Sequence, residues 1–387
     1  MKRETLLNHP PRADVPADNR SVVAPIYQSV KFELPTVEDT LGALRGERPG
    51  FFYQRTSNPT LRSLELLLAE MQGREDCLVS ASGVSAVAQC LLALTRAGDH
   101  ILCFVETYGP TRQIIRGLLA RFGVTHTMVS IEDHAAIERV LASQRTRLML
   151  FESPTNPINK IADIEFLTAT ARRFDALTVM DNTFAGIHQH GQYDVDFFLH
   201  SLTKYASGAG DVMGGATIAN RELLAPLRRD YSLIGGVLDP HAAFLIQRGL
   251  ATYLHRYRAQ SASAQAVAEF LESQPQVARV HYPGLASHRR SELARKQMQE
   301  FGGVVSFDLA AGAEAGRRFT EALQLFALTA SLGSTESLVM APQLMRPREF
   351  SPEQLAASGI ADGTVRLSIG LENIEDLLAD IRQALAA

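Results

Sequence analysis

Short apolar runs alternate with helical repeats of apolar residues through the middle of the chain. The runs that we interpret as strands are Leu78-Val79, Ile101–Phe104, Leu148–Phe151, Leu177–Met180 and Phe197–Leu199. Before and between them, apolar residues return at helical spacing, as in the predicted helices that begin at Pro59, with Asn58 as cap, and that run from Ile114 to Phe122. This alternation is typical of a mainly parallel sheet covered by helices on both faces, and we predict an α/β fold.

The pattern changes after about residue 245. A long helical stretch runs from His241 to about Glu272 with a possible break, a strand is expected at Gly303–Phe307, and an amphipathic helix follows from Ile374. We interpret this part as a smaller C-terminal α+β domain. The first fifty residues are rich in proline, which breaks helices, and an arm of this kind often packs on another surface. The predicted organisation is an arm at residues 1–55, a large domain at 56–240 and a smaller domain at 241–387.

Composition restricts the class of protein. The chain has 387 residues, 46% of them hydrophobic, and a formal net charge of −4, so it is expected to fold around a core. No basic field favours nucleic acid or an anionic membrane, and no apolar run is long enough for a membrane helix. Three widely spaced cysteines and the absence of a signal-like start, together with histidines that show no metal-ligand spacing, predict a cytoplasmic protein without a metal site.

Polar residues with catalytic potential follow the predicted strands. Asp181 comes after the fourth run, Lys204 after the fifth, and Ser82-Gly83 stands between a strand and a helix start. Ligands of open α/β sheets collect at the carboxyl ends of the strands, and a helix start favours phosphate. Each residue alone has an ordinary explanation as a solvated loop lysine, a turn aspartate or a helix cap. Together they favour pyridoxal phosphate, with a Schiff-base lysine, a carboxylate on the pyridine nitrogen and a phosphate cradle.

A family resemblance extends from about Val23 to the C-terminus. It is carried by the ordered strings FYQRTSNPT, SASGVSAV, ETYGPT, ESPTNP, DNTFA, HSLTKY, QRGLATY, YPGLASH, FGGVVSF, SLGSTESL and VRLSIGLE. The chain resembles the Cys/Met-metabolism enzymes that depend on pyridoxal phosphate, and its stretch from Ile234 through Phe307 looks most like plant-type cystathionine γ-synthase. The resemblance implies fold type I, the aspartate aminotransferase-like fold.

The resemblance also implies roles for particular residues. Lys204 matches the Schiff-base lysine that moves protons, Asp181 the partner of the pyridine nitrogen, Tyr108 the stacking tyrosine that also suits proton handling, and Asn156 the asparagine near the phenolic oxygen. The residues expected at the phosphate are Ser82, Gly83, Val84, Ser201 and Thr203.

Substrate and subunit contacts are implied in the same way. Arg366 matches the arginine that holds the substrate α-carboxylate, and Ser331 a residue that assists it, with Asn156 and Tyr53 also at the substrate. Tyr53 and Arg55 match a pair that reaches the phosphate of a neighbouring subunit. The resemblance therefore implies a homodimer with shared active sites, assembled further into a homotetramer.

Some positions depart from the family pattern. Gly208-Ala209-Gly210-Asp211 replaces Gly-His-x-Asp, and Gly109-Pro110-Thr111 replaces Gly-Gly-Thr. Ala330 is small where γ-lyases and bacterial γ-synthases often have Glu and one type of β-lyase has Tyr. The small residue at position 330 argues against a strict cystathionine lyase. In contrast, Val339–Pro342 replaces the His-Pro-Ala string that usually follows in γ-lyases.

The resemblance predicts an enzyme of sulfur amino acid metabolism with a small amino acid as substrate. We expect γ-replacement on an activated homoserine ester with cysteine, which gives cystathionine. The alternative is a carbon–sulfur lyase that acts on cystathionine or methionine. An aminotransferase is less favoured, and a non-catalytic binding protein on the same fold is a third class.

Overall fold

A seven-stranded sheet forms the centre of the larger part of the molecule. The computed structural model describes residues 19, 21–345, 347 and 349–387. The strands are β1 (Asp76–Ser80), β2 (His100–Phe104), β3 (Thr125–Val129), β4 (Leu148–Glu152), β5 (Leu177–Asp181), β6 (Phe197–Ser201) and β7 (Gly215–Ala219). Their order is β1-β7-β6-β5-β4-β2-β3. β7 runs antiparallel to β1 and β6, and the pairs from β6 to β3 are parallel, which confirms the mainly parallel sheet.

Helices cover both faces of this sheet. They are α1 (Val37–Arg45), α2 (Pro59–Gln72), α3 (Gly83–Leu94), α4 (Gly109–Gln113), α5 (His134–Ser143), α6 (Ile164–Arg173), α7 (Arg221–Ile234) and α8 (Pro240–Leu250). Consecutive strand residues enter different cores, since Phe197 packs in one cluster and Phe198 in another. This is the arrangement expected for a sheet buried on both sides. The three cysteines lie in these cores and are unpaired.

Two predictions about helices need correction. The helix expected from Ile114 to Phe122 is not continuous: α4 passes into a π-turn at Ile114–Leu118 and a 3₁₀ turn at Leu119–Phe122. The proline-rich beginning does contain a helix, α1. Thr36 caps α1 through its side chain, and the helix fits between Pro35 and Pro49, so the prolines flank it and do not interrupt it.

A five-stranded sheet organises the C-terminal part. Its strands are β8 (Val277–His281), β9 (Val304–Leu309), β10 (Ala327–Leu328), β11 (Leu338–Met340) and β12 (Thr364–Ser368), in the order β10-β11-β12-β9-β8. The remaining helices are α9 (Tyr253–Glu272), α10 (Ser291–Gln297), α11 (Gly312–Ala322), α12 (Pro342–Met345), α13 (Pro352–Ser358) and α14 (Ile374–Leu385). α9, α11 and α14 share one apolar core with the sheet. The expected break in the long helical stretch falls between α8 and α9.

The structure contains two sheets, one on each side of the predicted boundary at residue 240; the exact domain limits stay a prediction. Among the described residues, no helix is both long and apolar enough to cross a bilayer.

Candidate active site

Two carboxylates stand side by side at the carboxyl ends of neighbouring strands. Asp181 ends β5, Glu152 ends β4, and the two residues are partners in the strand register. The Thr183 amide and hydroxyl donate to Asp181 Oδ1 at 3.0 and 2.6 Å. Burial raises the pKa of Asp181 although these hydrogen bonds oppose it. Burial, followed by the charge of Asp181, raises the pKa of Glu152 to about 8, so the pair tends to share one negative charge at neutral pH.

Lys204 follows β6 and points towards the C-terminal sheet. Its Nζ donates to Ser331 Oγ at 2.7 Å. Burial, with a further contribution from the charge of Arg366, lowers the pKa of Lys204 to about 8. Ser331 has a φ of +106°, in the region that side chains rarely adopt, at the point where its hydroxyl meets the amine. The lysine amine is therefore held in place and is partly uncharged at neutral pH.

Arg366 connects the C-terminal sheet to the same cluster. It lies on β12, only 5% exposed, and donates from Nη1 to Asn156 Oδ1 at 2.8 Å and from Nη2 to the Ser331 carbonyl at 2.7 Å. Its Nε is buried and has no hydrogen-bond partner among the described residues. Burial lowers the pKa of Arg366 to about 10, so the guanidinium remains charged at neutral pH. A buried cation with a free donor is suited to a substrate carboxylate.

The start of α3 forms an anion cradle. The Ser82 hydroxyl caps the helix by accepting from the Ser85 amide at 3.1 Å, and the Ser82 carbonyl accepts from the Ala86 amide at 3.0 Å. The amides of Gly83 and Val84 lie in the first turn, where no intrahelical acceptor is available, and no hydrogen bond from either is found within the described part of the chain. Free amides at a helix start favour a phosphate group.

Ser201 and Thr203 lie beside this cradle. A Cβ on Gly83 would stand 2.8 Å from Ser201 Cβ, so glycine is what allows the close approach. The Thr203 hydroxyl accepts from the Gly214 amide at 3.1 Å and also lies 3.4 Å from the Gly214 carbonyl. Ser201 therefore lies against the cradle, and Thr203 is bound to Gly214, the neighbour of Gly215, whose added Cβ would meet the Ser82 carbonyl at 2.1 Å. The role of these residues at the phosphate stays a prediction from the resemblance.

Tyr108 directly precedes α4 and contacts the carboxylate pair through Glu152. Its amide donates to Glu152 Oε1, and its side chain is 42% exposed. Burial and the charges of Glu152 and Asp181 raise the pKa of the Tyr108 phenol, while Arg366 opposes this shift. The phenol is therefore protonated at neutral pH and able to donate a proton.

Tyr53 and Arg55 are not brought to the Lys204 cluster of their own chain. Arg55 Nη1 donates to the Ser232 carbonyl on α7 at 2.7 Å, and its guanidinium carbon lies 5.7 Å from the centre of the Tyr53 ring. Tyr53 is 39% exposed. Ala330 is exposed and directly precedes Ser331.

The loop that departs from the family string is built on glycine. Gly208 has a φ of +72°, and a Cβ there would meet Arg256 Nη1 at 1.8 Å. Arg256 in turn donates to the carbonyls of Tyr205 at 2.9 Å and Gly249 at 2.8 Å. Ala209 replaces the family histidine, but the hydrogen bonds from Arg256 still anchor the turn that follows Lys204.

Glu152 and Thr183 were not predicted as residues of the site. Both lie inside strings that were recognised, ESPTNP and DNTFA, but neither was singled out. Glu152 ends an apolar run just as Asp181 does, and that common position is the signal that could have identified it.

Comparison with known proteins decides the family. The model of the Cys/Met metabolism PLP-dependent enzymes matches residues 4–386. The chain belongs to this family. An L-methionine gamma-lyase from Pseudomonas putida is 42% identical over 371 residues, which cover 95% of this chain and 93% of the relative. A cystathionine beta-lyase from Lactococcus lactis subsp. cremoris is 38% identical, with 94% of each chain covered.

Solved structures agree with this assignment. A cystathionine gamma synthase from Xanthomonas oryzae pv. oryzae in complex with aminoacrylate and cysteine superimposes with a TM-score of 0.89 at 35% identity, and the match covers 95% of this chain and 93% of that chain. A putative O-acetylhomoserine (thiol)-lyase from Campylobacter jejuni, which carries N'-pyridoxyl-lysine-5'-monophosphate, has a TM-score of 0.89 at 32% identity, covering 95% and 96%. The protein is thus a fold type I enzyme of the PLP-dependent lyase and transferase family.

The residues present fit the cofactor of this family, pyridoxal phosphate. The free amides of Gly83 and Val84 suit its phosphate, Asp181 suits its pyridine nitrogen, and the partly uncharged amine of Lys204 suits its aldehyde.

Proposed function

We propose that the enzyme releases the γ-substituent of a four-carbon amino acid. The observation that carries this proposal is the position of Lys204, whose amine is held by Ser331 at 2.7 Å and lies in the field of Arg366. A base beside a carboxylate-binding arginine is placed to act on the carbon that carries the carboxylate.

Each residue of the cluster has a defined task. Arg366 binds and orients the substrate α-carboxylate, and Asp181 holds a proton at the position of the pyridine nitrogen. When bound, pyridoxal phosphate supplies an electron sink for negative charge at the substrate α- and β-carbons. Lys204 Nζ takes the α-proton, passes it on, and then takes a proton from the β-carbon. The electron pair of that β C–H bond forms the bond between the β- and γ-carbons as the γ-substituent leaves. The Tyr108 phenol, protonated at neutral pH, donates a proton to the leaving γ-substituent.

The first candidate for the complete reaction is replacement. An activated homoserine ester would lose its ester group, and cysteine would take its place to give cystathionine. Two features support this candidate: the likeness of the stretch Ile234–Phe307 to plant-type cystathionine γ-synthase, and the likeness of the chain to two solved structures of a cystathionine gamma synthase.

The second candidate is elimination from a sulfur amino acid such as methionine. It is favoured by the L-methionine gamma-lyase that is 42% identical to this chain. Ala330 supports it too, since a small apolar residue offers no charge to the distal amino group of cystathionine.

A substrate comparison tests both candidates. The purified enzyme receives O-succinyl-, O-acetyl- or O-phosphohomoserine with cysteine, and separately methionine or cystathionine alone. Replacement predicts cystathionine formation faster than keto acid release, and elimination predicts the reverse. Stoichiometric keto acid exchange with 2-oxoglutarate, without loss of a γ-substituent, would contradict both and indicate an aminotransferase.

We also propose that the active site is shared between two subunits of a homodimer, assembled further into a homotetramer, in the cytoplasm. The arm at residues 1–55, whose first part lies outside the described residues, would carry Tyr53 and Arg55 to the neighbour. Exposure of Tyr53 and the distance of this pair from its own Lys204 cluster support the proposal. Mixing inactive Arg55→Ala and Lys204→Ala proteins under conditions of subunit exchange should restore part of the activity, because some mixed dimers contain one intact site. No recovery after proven exchange would contradict sharing.

A further inference from the structure

Arg112 lies outside the residues assigned above but is attached to the Tyr108 loop. It is 5% exposed on α4, four residues after Tyr108. Its Nη1 donates backwards to the Thr107 carbonyl and lies 3.3 Å from the Val105 carbonyl. Since Thr107 directly precedes Tyr108, the guanidinium holds the peptide from which Tyr108 projects.

The other side of the same guanidinium faces the C-terminal part of the molecule. Nη2 donates to Glu349 Oε1 at 2.9 Å, and the guanidinium carbon lies 4.5 Å from the centre of the Phe350 ring. Burial opposes ionisation, but the hydrogen bond from Arg112 and its charge keep the pKa of Glu349 below its ordinary value. Glu349 and Phe350 lie between α12 and α13, on the connection from β11 to β12 that leads to Arg366.

Tyr108 therefore has two anchors of different origin. Its amide is bound by Glu152 at the end of β4, and the preceding carbonyl is bound by Arg112. The second anchor depends on the C-terminal part, because Glu349 and Phe350 complete the surroundings of the guanidinium. The planar guanidinium of arginine donates hydrogen bonds towards Thr107 and towards Glu349 at once, which the single ammonium of lysine cannot do.

We propose that Arg112 is a positioning residue that couples the placement of Tyr108 to the docking of Glu349 and Phe350. Loss of this link leaves the tyrosine on its loop but allows the ring to move from the cofactor and the substrate γ-carbon. The inference rests on the role that the proposed function gives to Tyr108.

A double-mutant cycle tests the coupling. The two quantities are the dissociation constant of pyridoxal phosphate from the holoenzyme and kcat/KM for whichever substrate is turned over. Arg112→Gln should weaken cofactor binding and lower kcat/KM, each by about 10-fold or more, because a charge-assisted hydrogen bond contributes about 1.5–3 kcal/mol. In a Tyr108→Ala background the same change should alter both quantities less than about 2-fold, since the residue it positions is gone.

The matched control is Arg62→Gln. It removes ion pairs of the same type, from Arg62 on α2 to Asp76 on β1 at 2.6 Å and to Glu65 at 2.9 Å. Its effect should be equal in the two backgrounds. If Tyr108→Ala had a clear effect but the effects of Arg112→Gln and Tyr108→Ala were fully additive, the coupling would be wrong, and the proposed role of Tyr108 would stand. If Tyr108→Ala changed neither quantity, this inference and the role of Tyr108 in the proposed function would both be wrong.

Fluorescence tests the docking directly. The chain has no tryptophan, so Phe350→Trp introduces a single reporter. Arg112→Gln in this protein should shift the emission to longer wavelength as the indole becomes exposed, and Glu349→Gln should give a smaller shift, because an amide still accepts the hydrogen bond. Emission unchanged by Arg112→Gln would overturn the proposed link to the C-terminal part.

Discussion

The charge state of Lys204 gives the sharpest quantitative prediction. Burial and the nearby Arg366 lower its pKa from 10.5 to about 8. At pH 7 about one amine in ten is then uncharged, against about three in ten thousand for an ordinary lysine, an advantage of about 300-fold for a group that must attack an aldehyde. Replacing Arg366 removes one of the two causes. Because burial is the larger one, Arg366→Gln should raise the pKa of Lys204, but by less than half of the way back to 10.5.

Competitive acetylation of the apoprotein measures this pKa at a single residue. The chain has only five lysines, Lys2, Lys31, Lys160, Lys204 and Lys296, so mass spectrometry can follow each modified peptide as pH rises. Lys296 is an internal reference, since its hydrogen bond to Glu165 raises its pKa. Lys204 should become reactive with a midpoint near pH 8, well before Lys296. The matched variant Arg366→Lys keeps the positive charge and should shift the Lys204 midpoint less than Arg366→Gln. A wild-type Lys204 midpoint near 10.5, or no response to Arg366→Gln, would refute the reasoning.

Substitutions at Gly83 and Ser331 test the anion cradle and the contact between Ser331 and the Lys204 amine. Gly83→Ala places a Cβ 2.8 Å from Ser201 Cβ and should weaken pyridoxal phosphate binding about 5- to 150-fold, for an overpacking cost of about 1–3 kcal/mol. Gly117→Ala, with nothing within 4 Å of its added Cβ, should leave the affinity unchanged, and equal affinities of the two variants measured by absorbance titration would contradict the cradle. Ser331→Ala removes the acceptor of the Lys204 amine and should lower kcat/KM about 10- to 100-fold, for a loss of about 1.5–3 kcal/mol. Ser331→Gly should lose the same activity but melt at a higher temperature than Ser331→Ala, because glycine accepts a φ of +106° without strain; equal melting temperatures would contradict the strain.

In the seven-stranded sheet the apolar pattern predicted β1, β2, β4, β5 and β6 but not β3 and β7, and in the C-terminal sheet it predicted β9 but not β8, β10, β11 and β12. β3 (Thr125–Val129) begins with polar residues and is partly exposed at the edge of the sheet, and β7 (Gly215–Ala219) consists of small residues apart from Ile218. β7 passes close to the cradle, and this explains the glycine at position 215, because a Cβ on Gly215 would meet the Ser82 carbonyl at 2.1 Å. Its sequence is set by the site, so hydrophobic periodicity could not reveal it.

The residues of the site also divide into those that the sequence could predict and those that it could not. Asp181 and Lys204 could be predicted because each follows an apolar strand, and the family strings added Arg366 and Tyr108. Contacts between distant segments could not be predicted, since no spacing relates Arg112 to Glu349, which lie 237 positions apart. Those contacts depend on how the C-terminal sheet packs against the larger one.

The central claim is that Lys204 carries the cofactor, and borohydride reduction of the holoenzyme tests it most directly. Reduction fixes pyridoxal phosphate on the amine that holds it, and peptide mapping then identifies that lysine among the five. The modified residue is expected at Lys204, and Lys204→Ala is expected to lose both the visible absorption and the turnover. A modified residue at Lys31, Lys160 or Lys296, or full turnover by Lys204→Ala, would contradict the claim.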